Sequence, residues 1–371
     1  MPFDRLTFGT PLAGVRVLCL AQQLPGPYAA MLLREMGAEV VMVEQSGGGD
    51  PGRRSPSLFE MLNRGKFSVA LDLKDDRDRR QLTELARSCR IVLEGFRPGV
   101  ARRLGVDYET LHAVRKDVIY CAISGYGQSG PQAELPAHDL SIQGRAGVAM
   151  PVAFDPHYTG LPLADLTSGL FAAMMTAVCA LAGEESRYLD LSMADALVGW
   201  ASVLHVGDWA GEWNPFRGNA NPGYGFYRTS DGWLSISIAF EDHFWQLLCE
   251  RLGMHGVGGL DRVERHERFE ELRAAVAERV AEHSTDHWLD ELGTAGVPVD
   301  RVNDAESLLA DELFLGRGVI RRDGPMPDIR TPLTQFEPQP AARRAPGLGA
   351  HNQMFFAHAS TTGATDERNE R

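Results

Sequence analysis

Residues 15–44 read VRVLCLAQQLPGPYAAMLLREMGAEVVMVE, and the fold class follows from them. Val15–Ala21 is a short apolar run between Gly14 and the loop QQLPGP, the pattern of a buried strand. Pro27 opens a helical pattern, YAAMLLREM, that stops at Gly37, and EVVMVE follows as a second strand. A strand, a helix and a strand in this order predict a parallel pair joined by a right-handed crossover. The alternation continues with SVALDLK, the helix RDRRQLTELARSC, the strand IVLEGF, helical residues near Tyr108–Val114 and the strand VIYCAIS. The expectation is an α/β protein whose large domain is a doubly wound parallel sheet.

Beyond Gly125 the periodicity fades as far as about Leu163. An apolar helix is expected from Leu166 to about Leu181, then the strand RYLDLSM and the helix ADALVGWASVLHV. The character changes near Tyr224, where GFYRT and WLSISI flank the turn SDG as a hairpin. Helices are expected at HFWQLLCERL, FEELRAAVAERVAEH and DHWLDEL. The expected division is 1–220 as the large domain, 221–310 as a smaller α+β domain, 311–350 returning to the large one, and 351–371 as a polar tail without fixed structure.

The bulk properties exclude several classes. Hydrophobic residues make up 44% and charged residues 23% of the 371, an ordinary globular composition. The net charge of −13 argues against nucleic acid as a partner. Five cysteines lie far apart without a CxxC pair, which suits reduced, mostly buried thiols in a cytoplasmic protein rather than a disulfide framework. No signal-peptide pattern is seen at the N-terminus, and the most apolar stretch, 169–183, falls short of the ~20 residues that span a bilayer. No membrane partner is therefore expected.

Each tempting motif has a plainer reading. GYGQSG at 125–130 matches GxGxxG, but Pro131 and Pro136 follow where a dinucleotide fingerprint requires a helix. Its glycines suit a tight turn or a backbone close to ligand. GGGDPGRR at 47–54 lacks the GK[ST] of a phosphate loop, and reads equally as a surface connection or a ligand lid. His283 and His287 stand four apart, yet Ser284 between them looks like a helix start, and no metal is assigned. Asp165, in PLADLTSGLFAAMM, reads first as an N-cap. A helix N-terminus also stabilises an ionised carboxylate, which suits a base or nucleophile. His138 and Asp139 sit together in an irregular stretch near the carboxyl edge of the sheet, and Glu241 lies between a strand and a helix. Trp213, Phe216 and Tyr224 are candidates to line an apolar pocket.

Several segments, in order, resemble the family III coenzyme A-transferase superfamily of the CaiB/BaiF type, which includes α-methylacyl-CoA racemases. They are PGPYAAMLLREMGAEVVMVE, NRGKFSVALDLK, LEGFRPGVARRLGVDYETL, SGYGQSGP, ADLTSGLFAA and GVPVDRVND. The match runs from PLAGVRVLCLA to RRAPGLGAHN, nearly the whole chain. The resemblance implies an interlocked homodimer acting on an acyl-CoA thioester, with no cofactor beyond the coenzyme A of the substrate. It implies that Arg97 helps bind the CoA nucleotide, with Arg64 and Lys66 assisting.

The resemblance also implies one of two chemistries. In a racemase, Asp165 and His138 face opposite sides of the thioester α-carbon and move a proton between its faces, with Glu241 tuning the histidine and Asp139 tuning Asp165. In a transferase, Asp165 attacks the thioester carbonyl and CoA passes to a second acid. His138, the AFEDHFW segment around Glu241, and the absence of a glycine-rich insertion after the hairpin favour racemisation of a 2-methyl-branched acyl-CoA. Gln143 and Gly147, in HDLSIQGRAG, resemble transferases instead.

Overall fold

A computed structural model describes residues 10–148, 151–152, 155–156, 160–211, 221–322, 327–336 and 344–357. Six strands form one parallel sheet: β1 (Arg16–Cys19), β2 (Glu39–Gln45), β3 (Phe67–Leu71), β4 (Ile91–Glu94), β5 (Ile119–Ser124) and β6 (Arg187–Ser192). Their order is β3-β2-β1-β4-β5-β6, so the chain reverses its direction of winding between β1 and β4. Val92 and Leu93 of β4 and Ile119 and Cys121 of β5 are wholly buried, as strands covered on both faces require. One face packs with α3 (Asp76–Ala86) and α5 (Tyr108–Val114) through Leu82, Leu85 and Leu111. The expected α/β sheet is therefore present.

On the other face lie α1 (Pro25–Glu35) and α7 (Leu163–Leu181). The apolar helix starts three residues earlier than the hydropathy suggested. At 19 residues it is long and apolar enough by composition to cross a membrane, with half of its window buried in the protein. What it buries are small residues, Gly169, Ala172, Ala173 and Thr176. A Cβ at Gly169 would stand 2.7 Å from the Pro25 carbonyl oxygen, so only glycine lets α7 approach the first turn of α1 this closely. The apparent loop after Gly125 contains a further helix, α6 (Asp139–Arg145), too short to show a period. All five cysteines are free and buried.

The chain divides into two compact units, 1–202 with 316–371, and 203–315. The second unit holds an antiparallel three-stranded sheet, Tyr224–Arg228, Trp233–Ser237 and Val299–Arg301, in which Trp233 pairs with Arg228 across the hairpin. Leu234, Ile236 and Ile238 point into its core with Trp245, Leu248 and Val276. Residues 212–220, which carry the expected boundary with Trp213 and Phe216, lie outside the described residues.

Part of the expected tail is ordered. Residues 351–357 are described, whereas 358–371 lie outside the described residues. The His351 amide donates to the Ser68 carbonyl at 3.0 Å, and the Ser68 amide donates to His351 Nδ1 at 3.0 Å. Asn352 then acts as a strand in miniature: its Oδ1 accepts from the Ala70 amide at 2.8 Å and its Nδ2 donates to the Ala70 carbonyl at 3.0 Å. β3 is the edge of the sheet, and these contacts satisfy backbone groups that an open edge leaves exposed. Asn352→Ala removes both bonds, and the urea midpoint is expected to fall by an amount equivalent to about 1–3 kcal/mol. An unchanged midpoint would show that water replaces the cover without loss.

Candidate active site

The mouth of α7 is closed by a residue outside it. Pro162 precedes the helix and offers no capping side chain, while Asp165 is its third residue. Asp165 is therefore not the N-cap that its sequence position suggested. The cap is Asp139, whose Oδ1 accepts from the Ala164 amide at 2.7 Å and the Asp165 amide at 3.2 Å. Gln143, one turn along α6, donates through Nε2 to Asp139 Oδ2 and also, at 2.9 Å, to the Leu161 carbonyl. One side-chain amide thus fastens the capping carboxylate to the segment that leads into α7.

Asp165 is half-buried, and its carboxyl makes no hydrogen bond or ion pair among the described residues. Burial, and then the negative charge of Asp139, push its pKa from 3.8 to about 7. The helix end does not hold this carboxylate ionised, because the free N–H groups there already serve Asp139. At neutral pH Asp165 is poised between its two states.

The other residues from the sequence are distributed unevenly. His138 heads α6 with an exposed ring; Ser141 Oγ accepts from its amide at 3.1 Å and donates to its carbonyl at 2.7 Å. No hydrogen bond joins its imidazole to Asp165 among the described residues. Glu241 belongs to the second unit. Its carboxylate accepts from the Phe240 amide at 3.0 Å and the Ala239 amide at 3.1 Å, and these donors hold its pKa below the ordinary range. Ser284 Oγ accepts from the His287 amide at 3.2 Å, so the histidine pair does flank a helix start.

A cavity of about 300 Å³ opens beside the carboxyl ends of β1 to β4, lined by Leu20, Gln22, Glu44, Asp72, Lys74 and Phe96 among others. This is the crevice at the reversal of strand order, where doubly wound sheets take their ligands. Arg97 is exposed and directly follows Phe96 at this rim. Arg64 and Lys66 do not line the cavity. Arg64 pairs with Asp328 and donates to the Ile329 carbonyl at 2.6 Å. Lys66 is buried, donating to the Pro27 carbonyl and to Asn63 Oδ1, both at 2.8 Å, and burial brings its pKa down to about 8. Lys74 is a cation on the cavity wall that sequence reasoning missed, although DLK beyond a strand end was a visible signal.

The cavity and Asp165 lie along one edge of the sheet. Gly169 packs on the Pro25 carbonyl, and Asp165 lies one turn nearer the mouth of α7, about 6 Å along the helix axis. Pro25 in turn follows directly on the β1 connection whose Gln22 lines the cavity.

Residues 12–352 match the family model for CoA-transferase family III. The chain belongs to CoA-transferase family III. A succinate–glutarate CoA-transferase of Agrobacterium fabrum is 28% identical to it over 95% of this chain and 96% of its own length. An acetyl-CoA:oxalate CoA-transferase of Acetobacter aceti is 32% identical over 79% and 81% respectively. The crystal structure of a CaiB/BaiF family protein from Brucella suis matches with a TM-score of 0.83 and 29% identity, covering 95% of this chain and all of that one.

Within this family III enzyme the GYGQSG segment is a turn, as its prolines suggested. Gly127 and Gly130 have φ of +86° and +98°, and the Gln128 amide donates to both oxygens of Asp190 at 3.0 Å. Ser124 Oγ and Gln128 Nε2 are buried without hydrogen-bond partners among the described residues, two polar groups at the carboxyl end of β5 that the motif alone did not single out.

The raised pKa of Asp165 has a signed consequence for stability. A carboxyl whose pKa rises on folding holds its proton more tightly in the folded chain. That contribution is full below pH 3.8 and is lost as pH climbs through about 7. Asp165→Asn removes the titration, so the variant should gain on the wild type across this window, by roughly 3 kcal/mol once the part exposure of the carboxyl is allowed for. Urea midpoints at pH 4 and pH 8 measure it. A gap that is the same at both values would mean that Asp165 ionises normally.

Proposed function

We propose that this protein transfers coenzyme A from an acyl-CoA donor to a second carboxylic acid, with Asp165 as the nucleophile. The supporting observation is the placement of Asp165: a desolvated carboxyl on the sheet edge that carries the cavity, in a chain whose relatives are named as CoA-transferases of small acids. Water solvates a carboxylate well and blunts it, so partial burial leaves the ionised form a stronger nucleophile.

In the forward half-reaction an Asp165 oxygen attacks the thioester carbonyl. The C–S bond breaks, the thiolate of CoA leaves with the electron pair, and a mixed anhydride remains on Asp165. The thiolate then attacks the aspartyl carbonyl, releasing the donor acid and leaving CoA on the enzyme as a thioester. The acceptor carboxylate reverses both steps. Asp139 keeps the α7 mouth fixed through each exchange, and its negative charge raises the proton affinity of Asp165. The nucleotide of CoA occupies the cavity at the strand reversal, where Lys74 and Arg97 supply positive charge and Phe96 an aromatic face. Small carboxylic acids are the proposed donor and acceptor class.

The favoured sequence expectation was racemisation; the relatives' names weigh towards the transferase alternative. The two are separated by mixing the enzyme with succinyl-CoA and oxalate, glutarate or acetate and following the thioesters by liquid chromatography. Transfer predicts a new CoA ester, trapping of an Asp165 hydroxamate by hydroxylamine, and a loss of at least about a thousandfold in Asp165→Ala. Deuterium appearing at C2 of a branched acyl-CoA, without any exchange between acids, would overturn this reading in favour of proton transfer.

A homodimer is also proposed. Leu170, Met174, Val178 and Leu181 are all exposed at helical spacing on α7, an apolar stripe unusual for a surface facing water. Val178→Glu should convert a dimer to monomer in light scattering, and a wild-type monomer would refute the assignment.

A further inference from the structure

We infer that Asp50 is a positioning residue that sets the connection over which bound CoA must pass, an inference that rests on the proposed binding of CoA. Asp50 lies in GGGDPGRR, the glycine-rich stretch with no assigned role, and it is only 2% exposed. Its carboxylate accepts from the Gln23 amide at 3.1 and 3.2 Å and from the Gly52 amide at 2.7 Å. Gln23 has a φ of +66° and is the only non-glycine residue in the left-handed region among the described residues. Such a conformation is unfavourable for an ordinary side chain and persists where its surroundings enforce it. Asp50 is the enforcing group.

The position of Gln23 makes this matter. Gln22 lines the cavity on one side, and Pro25, two residues beyond Gln23, packs on Gly169 of α7. A ligand with its nucleotide in the cavity and its thioester at Asp165 has to run its pantetheine arm along this connection. Lys66 pins the far end through the Pro27 carbonyl. The near end depends on Asp50, which is itself fixed by its amide donating to Glu44 Oε2 at 3.0 Å. Glu44 is buried and bound by Arg53 and by Ser68 Oγ at 2.6 Å each. Burial alone would raise its pKa, yet these donors hold it below the ordinary range. A carboxylate secured in this way holds a strained residue without adapting to it.

Calorimetric titration of the whole protein with free CoA tests the idea. Asp50→Ala should raise the Kd for CoA by about tenfold to a hundredfold, the cost of a binding group misplaced by about 1 Å. Asp50→Asn keeps an acceptor oxygen and should recover most of the affinity. The decisive variant is Gln23→Gly in the Asp50→Ala background. Glycine adopts positive φ unaided, so CoA affinity should return at least half-way on a logarithmic scale. A general structural role for Asp50 would not be relieved by a change at position 23. The inference is overturned if folded Asp50→Ala binds CoA like the wild type, or if the double variant binds no better than Asp50→Ala. Failure of the wild type to bind CoA would instead remove the functional reading, and this inference with it.

Discussion

A single carboxylate, Asp139, closes the mouth of α7, the longest helix among the described residues, and the candidate chemistry depends on it. Helices leave their first N–H groups unsatisfied, and a buried start requires an acceptor from somewhere. Pro162 cannot provide one, so Asp139 reaches across from α6 to the amides of Ala164 and Asp165. Two effects follow from that geometry. α6 and α7 are locked together, and a negative charge is fixed beside the Asp165 carboxyl. Had Asp165 capped its own helix, the amides would have stabilised its charge and lowered its pKa. With Asp139 in that role, the pKa moves the other way.

The sheet supplies the second constraint. Reversal of the winding direction between β1 and β4 splays the helices that follow these strands, and the gap becomes a cavity at the carboxyl ends. The connection after β1 therefore has to serve two surfaces at once, the cavity wall at Gln22 and the packing of Pro25 on α7. Glycine at 169 permits the second contact and the strained backbone at Gln23 permits the first. Buried acids and a buried lysine hold the connection at both ends, which is why a segment rich in glycine and proline is fixed here.

Much of this was legible in the chain. Alternating apolar runs and helical periods give the parallel sheet, because buried strands and amphipathic helices write different periods into the sequence. The pairing of Asp139 with Asp165 was visible only through resemblance, since the two are 26 residues apart and no local pattern connects them. Other features were hidden for identifiable reasons. Helix α6 is a seven-residue segment, shorter than the window that periodicity needs. The side chain of Asn352 completes a sheet edge, a tertiary role that no strand propensity records. Lys66 was expected to assist CoA binding, whereas its ammonium is enclosed by the Pro27 carbonyl and Asn63, a burial that the polar NRGK does not announce. The role of GGGDPGRR turned on one aspartate within it, not on its glycines.

The electrostatic setting of Asp165 also bears on how an acidic protein can handle anionic substrates. A chain of net charge −13 that handles a CoA ester and a carboxylic acid in the proposed way has to limit repulsion near the reacting centre. A pKa of about 7 does part of this, because a large fraction of Asp165 is neutral at the moment of encounter. In the proposed reaction, loss of the proton creates the nucleophile at a partly buried carboxyl. The same burial that disfavours the charged group in the resting protein would then make it reactive towards a thioester. An unhindered surface aspartate would be fully ionised at pH 7 and would meet the substrate with its hydration shell intact. Partial burial beside a fixed like charge is thus the feature that distinguishes Asp165 from an ordinary first-turn acid of a helix.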